Sequence, residues 1–139
     1  MRNSEPILLV EDDNIDAMTV KRAFKDLKVA NPLVHLIDGE EALKYLGSES
    51  SEKPCVIILD LNMPKMNGIE FLKVLRADEV LKKIPVVVLT ISTNEQDIVE
   101  GFKLNVAGYI VKPADYKKFV EAIKAIDLYR SLSELPDKD

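Results

Sequence analysis

The chain has no tryptophan, one cysteine and one histidine among its 139 residues. The lone Cys55 cannot close an internal disulfide, which argues against a stapled secreted domain and for a reducing, cytoplasmic setting. Leading into an apolar run, it reads as a small core filler. The only histidine, His35, lies in an apolar strand pattern and reads as a packed or edge residue. No apolar stretch is long enough to span a membrane, and Met1 to Pro6 is polar with a run of only four apolar residues after it. Neither a signal peptide nor a membrane partner is expected. Positive charge is scarce. Lys and Arg number 19 against 24 Asp and Glu, a net charge of −5, whereas direct nucleic-acid binding calls for a basic patch. Internal repeats and linkers are absent. One domain over residues 1–139 is expected, with a core at about 6–127 and a helical extension and tail at 128–139.

What the chain does have is alternation. Apolar runs suited to buried parallel strands occur at 7–10, 33–37, 55–59, 86–89 and 108–111. Patterns at helical spacing follow each: 15–28, 38 or 39 to 46, 67 to about 81, 95–104, and 115 to about 132. Asn67, and Thr93 or Asn94, are candidate caps. Ile98 and Phe102 are expected to face inward on the fourth helix. On the last, Tyr116, Phe119, Val120, Ile123 and Ile126 form one stripe. A polar stretch at 48–53 reads as a loop, and Pro136 onward as a loose tail. Five strand–helix units in this length predict a doubly wound α/β sandwich with a five-stranded parallel sheet and five helices.

Four of these strands end in chemistry. The run Ile7–Val10 ends in Glu11-Asp12-Asp13, and Val56–Leu59 ends in Asp60. Val86–Leu89 ends at Thr90, and Gly108–Val111 ends at Lys112-Pro113. In one parallel sheet all four ends share the C-terminal edge, where open α/β folds keep their sites. Carboxylates suit a hard divalent cation, and Thr and Lys suit phosphoryl oxygens. Taken singly, each has a plainer reading: solvated strand-end acids, a threonine chosen for its β-propensity, a solvated lysine. Three clustered acids, however, repel one another without a cation. Asp13 and Asp16 read as capping or solvated residues. Gly68 reads as a requirement of backbone geometry.

As a set, Glu11-Asp12, Asp60-x-x-Met63-Pro64-x-x-Asn67-Gly68, Thr90 and Lys112-Pro113 resemble the response-regulator receiver domain of two-component signalling, over about residues 6–127. The resemblance implies a flavodoxin-like sheet of order 2-1-3-4-5. It implies that Asp60 accepts a phosphoryl group from a sensor histidine kinase's phosphohistidine. Glu11, Asp12, Asp60 and the carbonyl of Asn62 would hold Mg2+. Thr90 and Lys112 would contact the phosphoryl oxygens, and Thr90 with Tyr109 would form the switch. The product, an acyl phosphate, would reset by self-catalysed hydrolysis, so the protein acts as a phosphorelay switch and not as an enzyme. Residues 81–90 and 92–95 are similar to single-domain regulators paired with bacterial phytochrome-type kinases, although the tryptophan-containing ending of that subgroup is missing.

Single positions argue against two other functions. An aspartyl-nucleophile phosphatase needs a second Asp where Asn62 stands. A flavodoxin-like cofactor binder needs a Ser/Thr/Gly loop where Glu11-Asp12-Asp13 stands. Two further expectations follow. Ile91, where the family has a small residue, should narrow access to the phosphoryl site. With no effector domain expected, the face of the fourth helix, fifth strand and fifth helix should serve for homodimerisation or kinase docking, helped by Ala122, Ala125, Leu128 and Tyr129.

Overall fold

The computed structural model describes residues 5–49, 52–63 and 65–132, with side chains as far as Asp127. Among the described residues strands and helices alternate: β1 (Ile7–Val10), α1 (Asn14–Asp26), β2 (Leu33–Leu36), α2 (Gly39–Gly47), β3 (Val56–Leu59), α3 (Gly68–Ala77), β4 (Val86–Thr90), α4 (Glu95–Lys103), β5 (Gly108–Val111) and α5 (Tyr116–Leu132). The five strands form one parallel sheet in the order β2-β1-β3-β4-β5, as the resemblance implied. Pro64, part of the 48–53 loop, the side chains of Leu128 and Tyr129, and the Pro136 tail lie outside the described residues.

Strand side chains alternate between two helical layers because the strand period is two. Leu8, Val10, Ile57, Leu59, Val86 and Val88 pack with Ala42, Leu46, Phe71, Leu72 and Leu75 from α2 and α3. Ile7, Leu9, Val56, Ile58, Val87 and Leu89 pack with Ala17, Val20, Phe24, Phe119 and Ile123 from α1 and α5. The three central strands are buried throughout, which explains their unbroken apolar runs. Cys55 is buried, as a core filler should be.

Each of the first four helices starts at a side-chain cap. Asp13 accepts from the amides of Ile15 and Asp16, Asp38 from that of Glu41, and Asn94 from those of Gln96 and Asp97. Asn67 and Glu70 form a reciprocal capping box. Two expectations are corrected. Helix α3 stops at Ala77, not near Leu81, because the Asp78 carboxylate takes the amides of Val80 and Leu81 and a separate 3-10 turn follows at Leu81–Lys83. Phe102 points outward, 52% exposed, while Ile98 is half-buried. Tyr116 is also half-buried: its ring lies under the Arg22 guanidinium at 4.3 Å and its hydroxyl donates to Asp26.

Candidate functional site

Sheet register brings the four strand ends together. Val10 pairs with Leu59 across β1 and β3, so the residues after them, Glu11 and Asp60, lie side by side. The Asp60 amide donates to Val10 O at 3.0 Å and the Glu11 amide to Leu36 O at 3.0 Å, extending the ladder past both strands. His35 on β2 secures the same corner. Its Nε2 lies 2.7 Å from the Glu11 carbonyl, and because a carbonyl can only accept, that nitrogen carries the proton. This fits the expected edge residue.

Carboxylate oxygens of Glu11, Asp12 and Asp60 all lie within 4.8 Å of one another. Glu11 and Asp60 are buried and Asp12 is exposed. Asp12 and Asn62 line an open cleft of about 470 Å³ with Leu61, Met63, Asn67, Ile69 and Asp97. The Asn62 amide also donates to Asp60 Oδ1 at 3.3 Å. The donor set is all oxygen, which suits a hard divalent ion. Buried acids of like charge are the arrangement a cation relieves.

Lys112 supplies the opposing charge. Its Nζ lies 2.8 Å from Glu11 Oε1, 2.7 Å from Asp16 Oδ2 and 3.7 Å from Asp60 Oδ2, with the side chain only 6% exposed. Burial pushes the Glu11 carboxyl up to about 8; the Lys112 hydrogen bond opposes this and the Asp60 charge adds to it. Burial works against the charge on Lys112 too. Its hydrogen bonds to Asp16 and Glu11, with the Asp60 charge, outweigh that and hold its pKa above the ordinary lysine range.

Thr90 is fully buried, and its Oγ1 accepts the Ser92 amide at 3.4 Å. Tyr109 is half-buried and donates from its hydroxyl to Ser92 O at 3.0 Å. Burial raises its pKa. Ser92 Oγ in turn donates to Asp97 on α4 at 2.7 Å. One serine thus ties together the two expected switch residues and the start of α4, a role that sequence reasoning missed. The contact of Asp16 with Lys112 was missed as well; the chain's only hint is an acid in the first helical turn after Glu11-Asp12-Asp13. Ile91 is 68% exposed. It lines a recess of about 490 Å³ with Asp16, Thr19, Lys112 and Phe119, on the α1–α5 side and not on the cleft beside Asp12.

Gly68 explains how Asp60 is seated. A Cβ at Gly68 would stand 2.7 Å from both Asp60 O and Leu61 Cα, so the start of α3 packs directly on the backbone that carries Asp60.

A doubly wound 2-1-3-4-5 sheet with an acidic triad, a threonine and a lysine at its C-terminal edge is the architecture of a signalling receiver. The family model described as the response regulator receiver domain matches residues 7–124. The chain belongs to that family. It is 37% identical to the response regulator Rcp1 of Synechocystis sp. over 127 residues, 88% of this chain and 86% of Rcp1. The structure of the phosphorylated cyanobacterial phytochrome response regulator RcpA superposes with a TM-score of 0.83 at 38% identity, covering 89% of this chain and 91% of RcpA. The Mn2+-bound form of Rcp1 gives 0.81 at 37%, covering 88% and 91%. As a member, the chain is a phosphoacceptor signalling domain, a switch that answers to a histidine kinase and binds a divalent metal. No helix among the described residues is long and apolar enough to cross a membrane.

Proposed function

We propose that Asp60 accepts the phosphoryl group, in a magnesium-dependent cytoplasmic switch whose acyl phosphate is cleared by self-catalysed hydrolysis, with residues 1–139 forming one receiver domain. The observation that carries this reading is the geometry at Asp60. It is a buried carboxylate beside two other acids, within 3.7 Å of a buried ammonium.

The Asp60 carboxylate oxygen attacks phosphorus on a kinase phosphohistidine. An O–P bond forms, the N–P bond breaks, and its electron pair returns to the imidazole nitrogen. Lys112 and the Thr90 hydroxyl donate to the phosphoryl oxygens, matching charge that develops there. Glu11, Asp12, Asp60 and the Asn62 carbonyl are the groups that would hold magnesium, which when bound offsets the repulsion between carboxylate and phosphoryl group. Hydrolysis then breaks the O–P bond, leaving the Asp60 carboxylate and inorganic phosphate. On this reading the protein is a substrate of its kinase and not a turnover enzyme.

Likeness to RcpA supports a phytochrome-type kinase as partner. Exposed Val99 and Phe102 on α4 and Val111 on β5 support homodimerisation through the α4–β5–α5 face. The net charge of −5 supports the absence of a nucleic-acid partner. Transfer from a phosphorylated histidine kinase should label the wild type and leave Asp60→Asn unlabelled. Labelling of that variant at the normal rate would remove Asp60 from the role.

A further inference from the structure

We propose that Asp16 is a positioning residue for phosphoryl transfer: from the first turn of α1 it holds the Lys112 ammonium so that one N–H stays available for the phosphoryl group on Asp60. This rests on the phosphoacceptor reading of Asp60.

Lysine has a flexible four-carbon stem and three N–H donors. Lys112 stands just past the end of the edge strand β5, and its amide donates to Thr90 O at 2.8 Å; this fixes where the stem starts but leaves its four carbons free to rotate. Two carboxylates from other elements aim the side chain. Glu11, after β1, and Asp16, in α1, take contacts of 2.8 and 2.7 Å. The 3.7 Å to Asp60 Oδ2 exceeds hydrogen-bond length. Two donors are engaged and the third is spare, with Asp60 Oδ2 the next acceptor beyond them.

Glu11 is a divided anchor. Its Oε2 already accepts the Asp13 amide at 3.2 Å, and it is a proposed metal ligand. Asp16 is better placed for the task. Its backbone is held by the helix cap, where its amide donates to Asp13 Oδ1 at 3.0 Å. Its carboxylate is 39% exposed, so solvent supports its charge while one oxygen faces the buried ammonium. Without Asp16 the ammonium swings through a wider arc, and each transfer must first recover the aligned position.

The test uses the full chain with Mg2+, labelled either by acetyl phosphate or by a phosphorylated histidine kinase. Asp16→Ala should slow labelling about tenfold, the factor one charge-assisted hydrogen bond carries. Asp16→Asn, which keeps an acceptor oxygen, should lose less. In a Lys112→Ala background, Asp16→Ala should change the rate no further, because both substitutions remove the same alignment. The wild-type Lys112 ammonium should give a slowly exchanging proton–nitrogen NMR signal that Asp16→Ala broadens or abolishes while the backbone amide spectrum stays folded. Equal labelling rates in wild type and Asp16→Ala would overturn the proposal. So would an undiminished slowing in the Lys112→Ala background, which would mean that Asp16 acts by another route. A wild type that takes label from neither donor would instead bring down the Asp60 reading, and this one with it.

Discussion

Glu11 is where burial and charge meet most sharply. Its carboxyl is pushed up to about 8 from 4.5, chiefly by burial, against the pull of Lys112. The folded metal-free protein therefore keeps a proton that the unfolded chain has released over that interval. The resulting stabilisation is fully present below 4.5 and is lost as pH rises through 8. A divalent ion needs the ionised carboxylate, so its binding displaces that proton and grows tighter as pH rises. Magnesium should accordingly raise the melting temperature more at about pH 8 than at about pH 6. Thermal melts with magnesium and with chelator at both pH values check this. A gain independent of pH would show that Glu11 does not give up a proton to the metal.

At the scale of elements, the junction of β3 and α3 sets the position of Asp60. The Gly68 amide donates to Leu61 O at 3.1 Å, and there is no space for a Cβ between α3 and the Asp60–Leu61 backbone. Gly68 does not adopt a positive φ, so the requirement is close approach and not left-handed backbone. Gly68→Ala should destabilise the fold by about 1–3 kcal/mol, since the clash is with backbone that cannot rotate away. It should also slow Asp60 labelling. Urea unfolding measures the first effect, and unchanged stability would mean that α3 slides without penalty. Helix ends tell a related story. Lys28 and Asn105 take φ of 58° and 60° just after α1 and α4, without the glycine that normally marks such a stop. At the opposite edge of the sheet, the Arg76 side chain donates to the carbonyls of Lys82, Ile84, Leu104 and Asn105. It closes the end away from the site.

Across the whole molecule, the site must be read at a distance. The contacts run from Thr90 through Ser92 to Tyr109 and to Asp97 on α4. A change at Thr90 thus has a short path to the surface that carries Val99, Phe102 and Val111. Phosphorylation is a local charge event, and a hydrogen-bonded loop of this kind is an element it can bias between two arrangements. Tyr109→Ala should leave Asp60 labelling near normal and uncouple it from assembly. Light scattering with and without beryllofluoride and magnesium measures this. The same oligomeric response in wild type and variant would take Tyr109 out of the path.

Periodicity and strand-end residues alone sufficed for the strand–helix alternation and for a site at one sheet edge. Both follow from short-range rules: buried parallel strands are apolar on both faces, and strand ends in one sheet share an edge. Glu11, Asp60, Thr90 and Lys112 were legible because each directly follows or ends an apolar run, and Asp12 because it adjoins Glu11. The strand order came from family resemblance, because periodicity carries no information about which strands become neighbours. Tertiary structure alone decided the rest. Asp16 reads in sequence as a capping or solvated helix acid and becomes a partner of Lys112 only when α1 packs beside α5. Phe102 fits a helical stripe, yet α4 turns it outward. Ser92 looks like an ordinary loop serine until Thr90, Tyr109 and Asp97 converge on it. These outcomes depend on how elements distant in the chain pack together, and no local pattern encodes that.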